Sequence, residues 1–167
     1  HRDLHYPLRR QRQMCIRDRR RTMGYKYGVW IVLNPDDIGH SVKHIPHVTI
    51  MCNMAYDKAF HFYQELRWNG YSKIKIAIHR PVVLFPKQYK EDLLDAWGYY
   101  VTMHPSKYLL METMSQKYTG DFSVNPHLSL EYTTTIGKDY QGKGMVEGKV
   151  CLADITSDNP SLWKIIS

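Results

Sequence analysis

Pro46-His47-Val48-Thr49-Ile50 and Pro126-His127-Leu128-Ser129-Leu130 are one five-residue phrase written twice, 80 residues apart. Each runs proline, histidine, aliphatic, hydroxyl, aliphatic. The proline pushes the residue before it toward extended backbone, and the apolar, partly β-branched run that follows reads as a strand. Side chains two apart on a strand project from one face. Each phrase therefore sets an imidazole beside a hydroxyl on one face and sends its aliphatic residues to the other.

Working outward, Tyr25–Leu33 (YKYGVWIVL) is a buried strand broken by Asn34-Pro35-Asp36-Asp37, and His47–Asn53 is the next. Ala55, Ala59, Phe62, Tyr63 and Leu66 have helical spacing, ended by Asn69-Gly70. Ile74, Ile76 and Ile78 alternate with polar residues as a half-buried strand does, and Pro81–Pro86 is a further short extended segment. Trp97–His104 reads as a strand, Pro105 opens a second helix carrying Leu109, Leu110, Met114 and Tyr118, and His127–Thr133 is a strand. Strands near Met145–Ile155 and Leu162–Ile166 close the chain. Each half offers an extended segment, a helix and a Pro-His strand. The expectation is an α+β fold of two pseudo-symmetric lobes, with antiparallel sheets lining a central cleft and helices outside.

Charge is a poor guide to function here. Of the formal net charge of +7, residues 1–22 supply six, from eight arginines against Asp3 and Asp18, and the remainder is nearly neutral. Met14–Arg20 (MCIRDRR) resembles a translated sequencing adapter, so residues 1–22 are expected to be a non-native or disordered basic segment, with the domain spanning 23–167. No stretch approaches the ~20 apolar residues that cross a bilayer, so no membrane association is expected. The three cysteines (Cys15, Cys52, Cys151) lack metal-ligand spacing and are odd in number. Reduced thiols in the cytoplasm are the simple reading.

The doubled phrase carries the chemistry. Cleaving a phosphodiester needs a base to activate the attacking oxygen and an acid to protonate the leaving one, and histidine near neutral pH serves as either. Two hydroxyls aimed at the non-bridging oxygens, beside imidazolium, stabilise the charge that develops at phosphorus. A lone His-x-Thr in a strand is ordinarily packing or surface. Its repetition with the same proline, strand and aliphatic context makes His47, Thr49, His127 and Ser129 the expected catalytic set.

These paired phrases, with their spacing and strand–helix order, resemble the 2H phosphoesterase superfamily over about residues 25–167, and Pro126–Tyr132 is similar to the second motif of its cyclic phosphodiesterase branch. The resemblance implies a bilobal fold with His47 and His127 as acid and base, and with Thr49 and Ser129 on the phosphate. No metal and no cofactor are implied. The implied substrate is a nucleotide or RNA end carrying a 2',3'-cyclic phosphate, or a 2'-5' linkage. The same motifs occur in viral enzymes that degrade cyclic di- or oligonucleotide messengers, which would act in the host cytoplasm. A nucleotide- or RNA-binding module of this fold without turnover, and a ligase running the reaction in reverse, are the alternatives. A monomer is expected.

Further contacts to substrate are expected from aromatic residues able to stack a base, namely Tyr27, Trp30 and Tyr132. Strict alternation puts Tyr132 on the face opposite His127 unless the strand bulges. Gly137–Lys143 lacks the Ser/Thr and the following helix of a phosphate loop. It reads instead as a hairpin whose Lys138 and Lys143 reach a phosphate. His40, His44 and His47 are spaced like ligands on a helix, but Pro46 argues against a helix there, so no metal site is expected.

Overall fold

The computed structural model describes residues 26–38, 44–89, 94–133, 144–157 and 162–167. It is mixed α+β and dominated by antiparallel sheet. The strands are β1 (Tyr27–Val32), β2 (His47–Met54), β3 (Lys73–Tyr89), β4 (Leu94–Thr102), β5 (Asp121–Phe122), β6 (His127–Thr133), β7 (Gly144–Asp154) and β8 (Lys164–Ile165). The helices are α1 (Pro35–Ile38), α2 (Tyr56–Trp68) and α3 (Pro105–Ser115). Pairing runs β1-β2-β6-β4-β3-β7, and β7 pairs back onto β1, so six strands close a barrel-like circuit. The short β5 and β8 extend it from β2 and β7.

The two faces of this sheet have different partners. Val29, Ile31, Val48, Ile50, Ile74, Ile76, Tyr99, Leu128, Val150 and Leu152 form the main core with Ala59, Phe62 and Leu66 of α2 and with Met111 and Met114 of α3. The three α2 residues sit three and four apart, one stripe of the helix, and α2 packs on β1 and β7. On the other face a smaller cluster joins Trp30, Cys52, Ala153 and Ile155, with Val32, Ile45 and Trp163 at its edge.

Local chemistry sets the ends of the helices. At the C-terminus of α2, Asn69 N–H bonds back to Glu65 and Leu66, and Gly70 takes a left-handed φ of 85°, which glycine adopts without cost. Pro105 occupies the first turn of α3, and the His104 ring accepts the Ser106 amide at 3.2 Å as its cap. The buried face of α3 differs from expectation. Met114 is buried as expected, but Leu109 and Leu110 are exposed and Met111 is buried in their place. The two extended segments expected at 74–78 and 81–86 are one irregular strand, β3. Cys151 is a free buried thiol but Cys52 is disulfide-bonded, so the reading of three reduced thiols does not hold at Cys52. Among the described residues no helix is long and apolar enough to cross a membrane.

Lys117 forms an ion pair with Glu65, and Tyr118 O–H donates to the same carboxylate at 2.7 Å, tying the end of α3 to α2. Burial opposes ionisation of Glu65, yet the two hydrogen bonds and the Lys117 charge outweigh it and hold the carboxyl below its ordinary value. Burial and the same carboxylate push the Tyr118 hydroxyl up to about 12.

Candidate functional site

The two Pro-His phrases open β2 and β6, and these strands are neighbours in the sheet. They pair antiparallel through Val48↔Leu128, the aliphatic residue at the centre of each phrase. Both are fully buried in the main core. An antiparallel ladder through this pair sets His47 opposite Ser129 and Thr49 opposite His127 in backbone register, and His47, Thr49 and His127 are at the parity that faces away from the helices. His47 and His127 are then diagonal neighbours, roughly 7–8 Å apart and somewhat closer between their Cβ atoms. That interval suits one phosphorus between two rings.

Each histidine is oriented by the same device. His47 Nδ1–H donates to the Ile45 carbonyl at 2.7 Å, and His127 Nδ1–H donates to the Asn125 carbonyl at 3.0 Å. In both cases the acceptor belongs to the residue before the proline, which Pro46 or Pro126 keeps extended. The proline carbonyl itself accepts from the adjoining strand, Pro46 from Leu33 N–H at 2.9 Å and Pro126 from Val101 N–H at 3.2 Å. A proton fixed on Nδ1 makes Nε2 the basic nitrogen of the neutral ring.

The flanking registers also correspond. Trp30↔Thr49, Ile31↔Val48 and Val32↔His47 join β1 to β2, and Gly98↔Ser129, Tyr99↔Leu128 and Tyr100↔His127 join β4 to β6. The next pairs are Val29↔Met51 and Trp97↔Glu131, so Ile50 and Leu130, the last residues of the two phrases, are each an extra residue in their strand. These are bulges at matching places. The second one moves Tyr132, opposite Ala96, to the backbone register parity of Ser129, which plain alternation denies it.

The rings around the two histidines differ. Trp30 is 1% exposed and lies flat against His47, ring centroids 3.6 Å apart and planes 13° from parallel. Trp163 approaches His47 edge-on at 6.2 Å, with its indole N–H held by the Ser157 carbonyl at 2.7 Å, and His44 approaches at 6.1 Å. Beside His127 the register neighbour is Tyr100, whose hydroxyl is buried with no hydrogen-bond partner among the described residues. Burial pushes that phenol above its ordinary value.

Two aromatic assignments from sequence need correction. Trp30 has no open face for a base, because it is buried and its ring is taken by His47; it supports a histidine instead. Tyr27 packs edge-to-face on Tyr56 at 5.3 Å and against the main core, which is the helix side of the sheet and away from the histidines. Lys138 and Lys143 lie outside the described residues, as does His40. Tyr100 and the two carbonyls that orient the histidines were not foreseen. The signal for the carbonyls was present in the triplets Ile45-Pro46-His47 and Asn125-Pro126-His127. No family model matches the chain, and no curated protein is similar to it in sequence.

Proposed function

We propose that this chain is a phosphodiesterase of the 2H type that cleaves a phosphodiester next to a ribose 2'-oxygen, without a metal. One observation carries the reading: two histidines on adjacent strands, at one sheet parity, each with Nδ1 tied to the carbonyl two residues back. In this reading the closed circuit divides into two lobes, β7-β1-β2 with α2 and β3-β4-β6 with α3, which meet at the catalytic pair.

The chemistry follows from the orientation. One Nε2 takes a proton from water as its oxygen attacks phosphorus. The bond from phosphorus to the ribose oxygen breaks, and the other ring, entering as imidazolium, gives its Nε2 proton to that oxygen. The products are a phosphomonoester, or a strand ending in one, and a free hydroxyl. The two rings have then exchanged protonation states, which solvent restores. Thr49 and Ser129 serve the non-bridging oxygens, where charge accumulates. Tyr132, whose backbone shares the register parity of Ser129 past the Leu130 bulge, remains the candidate base-stacking ring.

The test is a panel of 2',3'-cyclic AMP, 2'-5' oligoadenylate, and 3'-5' and mixed-linkage cyclic dinucleotides, with and without EDTA. Turnover of at least one, unaffected by chelation, is expected. His47→Ala and His127→Ala should each lower kcat by about 10²–10⁴. If every compound binds but none is cleaved, the chain is a nucleotide-binding module; if cleavage survives both substitutions, the catalytic pair is wrong.

A further inference from the structure

The row of register partners that contains His47 continues away from β6. Val32 of β1 pairs with His47, Lys149 of β7 pairs with Val32, and Lys73 of β3 pairs with Lys149. Cross-strand partners share a face, so both lysines stand on the histidine side of the sheet. Lys149 is two strands from His47, roughly 10 Å at the usual inter-strand spacing. Val32 bridges the interval, since it packs with Trp30, Ile45 and Trp163 in the cluster behind His47.

Like charges directly opposite one another in a sheet repel, and only Glu147 among the residues lining the cavity beside them carries a negative charge to offset them. Among the described residues neither lysine forms an ion pair. Glu147 lies nearby, but its register partner is Lys75, another cation. Lys73 and Lys149, with Val32, Asn34 and Glu147, line an open cavity of about 530 Å³. A paired-lysine wall with an excess of positive charge and room for a ligand fits an anion, and a second phosphate is the anion that a nucleotide bound at the histidines could bring.

We infer that Lys73 and Lys149 form a second-phosphate subsite, so that the preferred substrate is a nucleotide with at least two phosphates rather than a mononucleoside cyclic phosphate. This rests on the two-histidine reading above. It narrows the substrate class to 2'-5' oligonucleotides, 5'-phosphorylated ends and cyclic dinucleotides. The site is one-sided, flanking His47, so it would also fix which way the substrate lies across the pair.

Calorimetric titration of the full chain with 5'-AMP and with adenosine 2',5'-bisphosphate tests this without requiring turnover. The bisphosphate should bind at least tenfold tighter. In Lys73→Gln/Lys149→Gln the two ligands should bind within about twofold of each other, and Lys73→Arg/Lys149→Arg should keep the preference. His127→Ala should weaken both ligands alike and leave their ratio intact. Equal affinities in the unaltered protein, or a preference that survives the double Gln variant, would overturn the subsite. A preserved preference with no cleavage anywhere in the panel would defeat the proposed activity and leave the subsite standing; cleavage with no preference would do the reverse.

Discussion

Trp30→Leu separates what orients His47 from what performs chemistry. The indole is fully buried and stacked on the imidazole at 3.6 Å. Replacing it with leucine removes on the order of 70 Å² of buried apolar surface, about 2 kcal/mol at ~25 cal/mol per Å². Unfilled volume and the lost ring stacking bring the total to about 3 kcal/mol. In a chain of 167 residues that should lower Tm by roughly 6–12 °C. His47 keeps its Nδ1 tether to Ile45, so the ring gains freedom without leaving the site. The stacking alone is worth ~0.5–1.5 kcal/mol, which predicts a fall in kcat of roughly tenfold or less at about 1.4 kcal/mol per factor of ten, with KM nearly unchanged. The assay is steady-state kinetics on the best substrate of the panel, run well below the variant's own Tm. A kcat within twofold of the unaltered protein would show that the tether suffices and the indole positions nothing. A loss as large as that of His47→Ala would show that the tether alone does not hold the ring.

Two further perturbations probe the scaffold. Glu65→Gln should cost about 0.5–1 kcal/mol at pH 7, the range of a partly exposed ion pair. Because the folded-state pKa of Glu65 lies below its ordinary value of 4.5, its contribution is complete above that value and is lost as pH falls through the folded pKa. Urea unfolding should therefore give curves for the two proteins that converge progressively as the pH is taken below 4.5; a gap that widens on acidification would contradict the assignment. Gly148→Ala should destabilise by about 1–3 kcal/mol, since a Cβ there overlaps Ile31 Cγ2, lies 2.9 Å from Leu33 Cδ2 and meets the Val32 carbonyl at 3.1 Å. Adding Ile31→Ala should make the Gly148 substitution less costly in a double-mutant cycle, and simple additivity would refute the clash.

The sequence was most legible where local chemistry is strong. β6 begins and ends where Pro126 and the alternating run put it, and Pro105 marks the start of α3. The buried face of α3 was legible only at Met114, because apolar residues surround it and only its contacts select Met111 over Leu109 and Leu110. Pro81 and Pro86 argued for breaks in β3. The strand nevertheless runs on past Pro81 and Pro86, paired with β4 at Pro81↔Tyr99 and Phe85↔Ala96. The face of Tyr27 and the burial of Trp30 were hidden for a related reason. The run from Gly28 to Leu33 is apolar throughout, so alternation offers no contrast and the face of each side chain depends on partners far away in sequence. The Val48↔Leu128 pairing and both bulges belong to the same class of non-local fact.

The correspondence between the halves bears on how a two-histidine site works. The pair Val48↔Leu128 lies on an approximate two-fold axis that exchanges His47 with His127, Thr49 with Ser129, and the Ile50 bulge with the Leu130 bulge. In the proposed reaction a phosphorus on that axis would meet two rings whose tethers are alike, so the backbone alone would make neither of them the base. Acid and base must be told apart by what breaks the symmetry. On the His47 side stand a stacked indole and, further along the same row, two lysines; on the His127 side stands Tyr100 with its buried hydroxyl. A substrate whose second phosphate lies over the lysines presents its scissile bond in one direction only. On that proposal its leaving oxygen would always face the same histidine, and two equivalent rings would become a dedicated acid and a dedicated base through the way the substrate is held.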